Sequence, residues 1–322
     1  MTRIRLAVLI VAVLTSSMLS ACSGRQAAAS ETPPPVPVPA ARPESASAPA
    51  QASADVFRFR IGDLEAVALK DGELEVPNDG KTFGIGQPLA EVTGLLEAAG
   101  QPTDTLHLGI QPLLVRSGDR VLLFDTGAGD ASFADGGHLA TALGAAGTEP
   151  SQVTDIFISH RHADHVGGLL TGTGALAFPN AAIHLSAAEW LTLQGDADAA
   201  ALVAAIKPKV ATFDANAQII PGVVTAVAVE GHTPGHSAYQ ISSGDEHLLY
   251  VGDAVHHHVV SVQRPEWTVV FDEDAPLAQA SRRALMQRAA AGKLRIYAVH
   301  FPFPGLGRFE KKGESFVWVA ER

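Results

Sequence analysis

The 322-residue sequence contains a single cysteine, Cys22, so no disulfide can close within the chain. It also lacks any long basic run. With 23 Lys and Arg against 34 Asp and Glu the formal charge is −11, which sets a nucleic-acid backbone aside as a partner and favours solubility. The N-terminal apolar stretch, Leu6 to Leu14, falls short of the roughly 20 residues that a membrane span needs. No internal repeat is visible. What remains is an ordinary globular balance, 47% hydrophobic and 18% charged, in a chain long enough for one large domain or two small ones.

In "MTRIRLAVLIVAVLTSSMLSAC", Arg3 and Arg5 precede the short apolar core, and small and polar residues follow it. Residues 1–21 therefore read as a secretory signal peptide. "LSAC", Leu19 to Cys22, resembles the lipobox of bacterial lipoproteins, in which cleavage precedes a cysteine that is then acylated. That resemblance implies export, a membrane partner through a lipid on Cys22 and, because Ser23 rather than Asp follows, the outer membrane where the source has one. A plain cleaved signal with an incidental cysteine is the competing reading. Residues 22–54 are rich in Pro, Ala and Ser, with Val36 and Val38 the only larger aliphatics. Such a stretch buries too little surface to offset its ordering entropy and reads as an extended spacer.

The globular part is expected over 55–322. "VFRFRIGDLEAVALKDG" alternates as a strand and is expected to turn at Asp71-Gly72, while "LGIQPLLVRSGDRVLLFDTG" reads as two strands about Ser117-Gly118-Asp119. Further on, "VTDIFISH", "AAIHLS", "VVTAVAVEG", "HLLYVGD" and "LRIYAVH" read as strands. "SAAEWLTLQ", "ADAAALVAAI" and "APLAQASRRALMQRAAAG" read as helices, the last ended by Gly292. Strand pairs followed by interleaved strands and helices predict an α/β sandwich with helices outside packed sheets.

"SHRHADHVGG", residues 159–168, holds three histidines and an aspartate within six positions. Neutral imidazole is the commonest metal ligand, and His160 and His162 can turn both rings toward one ion. Asp164 and His165 follow on the next turn, and Gly167-Gly168 permits close backbone approach. His232, Asp253 and His300 each lie just past a predicted strand, where ligands in sheet-based enzymes gather. Five imidazoles and two carboxylates exceed what one tetrahedral site uses, so two divalent ions are expected.

The ordered motifs "HRHADH", "GHTPGH", "GDAV" and the late "VH", with "FDTG" at 124–127, resemble the metallo-β-lactamase superfamily. The resemblance implies an αββα sandwich in which His160, His162 and His232 bind one metal and Asp164, His165 and His300 the other. Asp253 would bridge the two, with a hydroxide shared between ions roughly 3.5–4 Å apart. Zinc suits these ligands, and iron, manganese or cobalt fit them as well. "GDAVHHHVVSVQRPEWTVVFDEDAPLAQASRR" and "AVHFPFPGLGRFEKKGESFVWV" resemble the methyl parathion hydrolase branch, itself similar to N-acyl homoserine lactone lactonases.

What this resemblance implies is a small-molecule hydrolase that opens lactones or cleaves related esters, with an organophosphate triesterase as the alternative. A non-catalytic zinc-binding envelope lipoprotein is the reading from another class, and a homodimer is compatible with the sequence. His256, three residues after the bridging aspartate, stands where many lactonases carry tyrosine and methyl parathion hydrolase an apolar residue. It is either a hydrogen-bond donor to a developing oxyanion or an exposed member of the His256-His257-His258 run. Asp164 is a ligand first and a proton acceptor second.

Asp125 either fixes a ligand imidazole or a turn before Gly127, and His236 is expected to support the ligands. His107, His138, His184 and His247 read as solvated or structural. Trp190, Trp267, Phe301 and Phe303 either wall the pocket or simply pack. A Cys22→Ser protein is expected to leave the membrane fraction, read by sedimentation and blotting; retention there would rule out the lipid anchor.

Overall fold

Leu122, Leu123 and Phe124 are consecutive, apolar and fully buried, which a strand sustains only when both its faces are covered. Leu122 and Phe124 enter one core while Leu123 enters another, so this strand lies between two layers. A computed structural model of the chain describes residues 54–321. The expected signal segment 1–21, Cys22 and the spacer up to residue 53 lie outside the described residues.

In chain order the first half holds β1 (Val56–Ile61), β2 (Leu64–Leu69), β3 (Gly72–Pro77), β4 (Phe83–Ile85), α1 (Leu89–Ala98), β5 (Thr105–Ile110), β6 (Leu113–Ser117) and β7 (Arg120–Phe124). Then come α2 (Leu139–Ala145), β8 (Asp155–Phe157), α3 (Ala163–Val166), β9 (Ala182–Ser186), α4 (Ala187–Gly195), α5 (Ala200–Ile206) and β10 (Val210–Phe213). The second half holds β11 (Gln218–Ile220), β12 (Val224–Ala228), β13 (Ser237–Ser243), β14 (Glu246–Tyr250), α6 (Val260–Gln263), β15 (Thr268–Val269), α7 (Ala275–Ala291), β16 (Arg295–Tyr297), β17 (Leu306–Lys312) and β18 (Ser315–Ala320).

Two seven-stranded sheets, ordered β1-β2-β6-β7-β8-β9-β10 and β11-β12-β13-β14-β16-β17-β18, pack face to face. Phe124, Phe157, Tyr239, Tyr250 and Tyr297 fill the layer between them, each large buried side chain contributing roughly 1.5–3 kcal/mol over exposure. The outer face of the first sheet buries Leu123, Ile156 and Ile183 under α2, α4 and α5. That of the second buries Leu249 and Ile296 under Leu285, Met286 and Ala289 of α7. This is the expected αββα sandwich. A fourth cluster, built from β3, β5, α1, α6 and the β4–β15 pair, makes a small lobe at one edge. No helix among the described residues is long and apolar enough to cross a membrane.

The first strand departs from expectation. The segment 56–69 is a hairpin, with Ile61 opposite Leu64 across Gly62-Asp63, because Gly62 takes the left-handed conformation that the reversal needs. Asp71 does not form a surface turn. Its buried carboxylate accepts backbone N–H bonds from Ala128 (2.8 Å), Gly137 (3.3 Å) and Leu139 (2.7 Å), pinning the long β7–α2 connection to the sandwich. Asp71→Ala strands these donors, and a loss of about 1–3 kcal/mol per unmet buried group is expected, measured by urea denaturation.

Candidate metal centre

The parallel strands β7, β8 and β9, and the parallel pair β14 and β16, end at the same edge of the sandwich. The chain leaves β8 through Ser159 and His160, and His162 caps α3 in extended geometry, which puts Asp164 and His165 in the first turn of that helix. Gly167 and Gly168 lock this turn against the strand β7 exit. A Cβ on Gly167 would stand 2.2 Å from the Ala128 carbonyl oxygen, and one on Gly168 would stand 2.0 Å from that of Thr126. His232 follows β12, Asp253 follows β14 and His300 follows β16.

These residues form two donor groups that share Asp253: His160, His162, His232 and Asp253 in one, Asp164, His165, His300 and Asp253 in the other, each with its ligand atoms within 4.8 Å of one another. In the first, His232 Nε2 lies 3.1 Å from His160 Nε2 and 3.0 Å from His162 Nδ1. Asp253 Oδ2 faces that group, 3.4 Å from His232 Nε2 and 3.7 Å from His160 Nε2. Oδ1 faces the other, 3.1 Å from His165 Nε2 and 3.0 Å from His300 Nε2. Asp164 Oδ2 stands 3.5 Å from both of those imidazoles.

Four of the five rings are aimed by a partner on their far side, which sets the nitrogen turned inward. His165 Nδ1 lies 2.7 Å from Asp125 Oδ2, His232 Nδ1 lies 3.1 Å from Asp272 Oδ1, and His300 Nδ1 lies 2.6 Å from the Gly109 carbonyl oxygen. His160 Nδ1 faces Ser159 Oγ at 3.1 Å. His162 is reversed, presenting Nδ1 to the centre and Nε2 outward, 3.9 Å from Glu273 Oε1. Both readings of Asp125 hold together: it has a φ of 55° and its carboxylate also accepts from Ser159 N–H and the Tyr250 hydroxyl. His236 supports the ligands, accepting the Asp253 N–H at Nε2 while its Nδ1 donates to Val229 O.

Asp272, Glu189 and Arg282 carry no motif of their own, and the sequence reading passes over them. Asp272 also accepts from buried Arg282 at 2.8 Å. Glu189, buried on α4, accepts from Arg161 N–H, Gly235 N–H and Thr233 Oγ1, tying the "HRHADH" and "GHTPGH" loops together. The acidic run Asp272-Glu273-Asp274 before α7 was the available signal.

Burial holds His160 well below the usual imidazole range, His162 at about 4 and His232 at about 3, so these three are neutral and free to ligate. Burial opposes ionisation of Asp164 and Asp253, yet the neighbouring imidazoles outweigh it, bringing Asp164 to about 2 and Asp253 well below the carboxylate range. Conversely, carboxylates around His165 and His300 outweigh burial and raise both. His165 Nε2 and Asp253 Oδ1 are buried without a hydrogen bond, and such orphaned donors are what a metal ion satisfies. The donor set fits two divalent cations.

The centre forms the floor of a cavity of about 640 Å³ reaching Leu74, Val76, Phe133, Val270 and Phe271. His256 lines it, buried, its Nε2 3.4 Å from Asp253 Oδ2 and both ring nitrogens without a partner. It is therefore not an exposed member of the histidine run. None of Trp190, Trp267, Phe301 and Phe303 lines this cavity. Trp190 packs on the first sheet, Trp267 in the lobe, Phe301 under α7 and Phe303 against the inter-sheet core. Of the two readings of these rings, packing holds, and the cavity wall is built instead from β3, β5 and the segment after β15.

The sequence profile described as "Metallo-beta-lactamase superfamily" matches residues 109–300. A Mycobacterium tuberculosis protein named "Probable metallo-hydrolase" is 26% identical over 254 residues, covering 63% of this chain and 78% of the relative. Among solved structures, the chain is similar to AidC, a dizinc quorum-quenching lactonase in complex with a product, N-hexanoyl-L-homoserine. The identity is 31% and the TM-score 0.78, over 83% of this chain and 97% of that one. The hydrolase AbOPH of the beta lactamase superfamily matches at 28% identity and a TM-score of 0.76, over 84% of this chain and 98% of that one. Asp272→Ala frees the His232 ring and is expected to weaken metal binding about 10–100-fold, measured by chelator competition.

Proposed function

Since the chain belongs to the metallo-β-lactamase superfamily and is a metallo-hydrolase, we propose that it opens lactones of the N-acyl homoserine type or cleaves related esters. The observation that carries this reading is Asp253, which turns one oxygen to each donor group at the floor of an apolar cavity. Likeness to a lactonase at 31% identity supports the substrate class.

In this reading His160, His162 and His232 hold one ion, Asp164, His165 and His300 the other, and Asp253 both. Bound there, divalent ions supply acidified water and polarise the acyl oxygen. The remaining chemistry belongs to the chain. The cavity orients the acyl carbon over Asp253, with the apolar arm along Leu74 and Val76. A water oxygen bonds to that carbon, the ring C–O bond breaks, and the proton lost by the water ends on the departing alkoxide. Asp164, ionised and lining the cavity, carries that proton between the two oxygens. His256 donates a hydrogen bond to the oxygen that gains charge, a role open to it because neither ring nitrogen makes a hydrogen bond within the protein.

A purely structural metal site is closed by four protein donors and needs no cavity, whereas His162, Asp164, Asp253 and His300 all line this one. The test compares an acyl homoserine lactone with a paraoxon-type ester on protein reconstituted separately with zinc, iron, manganese and cobalt. The lactone is expected to give the larger kcat/KM, and His256→Ala to lower it by about 10²-fold. The opposite preference would assign the organophosphate reading that the methyl parathion hydrolase resemblance raises. Tight metal without turnover of either would assign a non-catalytic metal protein.

A further inference from the structure

The cavity over the metal centre has acidic side chains in its wall and, apart from the histidines of the centre, no basic ones among the described residues. Beyond the candidate ligands Asp164 and Asp253, Glu75 of β3 and Glu273 after β15 line it, and among the described residues no Lys or Arg does. Glu75 is 73% exposed and Glu273 36%, so both stand at the wetter part of the wall. Arg161 bonds to Glu273 without lining the cavity. The rest of the wall is largely apolar, from Leu74, Val76, Leu108, Phe133, Val270 and Phe271. An anionic group on the arm of a substrate, held away from the metal donors on the floor, would leave water to face like charge beside low-dielectric walls, with no Lys or Arg in the lining to receive it.

We propose that Glu75 and Glu273 are specificity-determining residues that reject substrates with an anionic group beyond the scissile bond, so that the site takes uncharged lactones or esters with an apolar arm. This rests on the hydrolase reading above. Rejection here works by placing like charge against the wrong substrate rather than by an added contact to the right one.

The test uses the metal-loaded full chain with two esters of matched shape, 4-nitrophenyl pentanoate and the mono-4-nitrophenyl ester of glutaric acid. The readout is the ratio of their kcat/KM values, which non-productive binding of the carboxylate end to the metals does not change. The uncharged ester is expected to be favoured by about 10-fold or more, and Glu75→Gln and Glu273→Gln each to narrow the ratio about threefold. About 0.5 M salt is expected to narrow it in the unmodified protein as well.

A ratio near unity, or one that neither variant moves, overturns the proposal. Because Glu273 also contacts Arg161 and faces His162, Glu75→Gln decides the matter alone where Glu273→Gln loses metal. If neither ester is cleaved, the ester part of the proposed function falls, while lactone opening is judged by its own assay. The charge preference is then decided by calorimetry with pentanamide and its ω-sulfonate: weaker sulfonate binding that Glu75→Gln relieves upholds it, and equal binding refutes it.

Discussion

The structure turns on the Asp253 carboxylate, buried among the imidazoles of His160, His165, His232, His256 and His300. An unpaired buried carboxylate is costly; here each oxygen faces nitrogens at 3.0–3.7 Å. Its position is over-determined from behind, with its N–H given to His236 and its preceding strand β14 clamped between β13 and β16. Imidazoles crowded about one carboxylate repel one another when protonated; burial lowers the pKa of the His160 group, while the acidic neighbours of His165 and His300 raise those two. Cations relieve both tensions at once.

That arrangement needs a rigid frame, and the two sheets provide it. Strands buried on both faces leave no freedom to slip register, since a one-residue shift would exchange the inter-sheet core for the helix-covered face. Parallel strand ends then deliver His160 and His165 from one sheet and Asp253 and His300 from the other to a common edge. Asp71 and Glu189 extend the same control to loops that carry no regular ladder, each spending a buried carboxylate on backbone N–H groups. Function then resides in what the small lobe adds over this edge, a cavity whose walls differ from its floor.

Much of the fold was legible because apolar runs such as 122–124 and 156–158 have one physical use. The metal donors were legible because they come in short motifs next to strand ends. The first hairpin was misplaced because "GD" at 62–63 and "DG" at 71–72 are both good turn signals, and only pairing across Ile61 and Leu64 chooses between them. The role of the aromatics stayed open because a buried ring packs equally well in a core or a pocket, and nothing local distinguishes Phe301 from Phe271.

The sequence by itself determined which side chains can serve as donors, their order along the chain and the two-layer core that holds them, since periodicity and motif spacing are local properties. Tertiary structure decided which nitrogen each imidazole turns inward, because the partners that set it lie 40 residues away for His232 and 191 for His300. It also decided the shape and charge of the cavity, which is assembled from β3, β5 and the segment after β15. Contacts between such remote segments depend on how the sheets pack, and no local pattern encodes them.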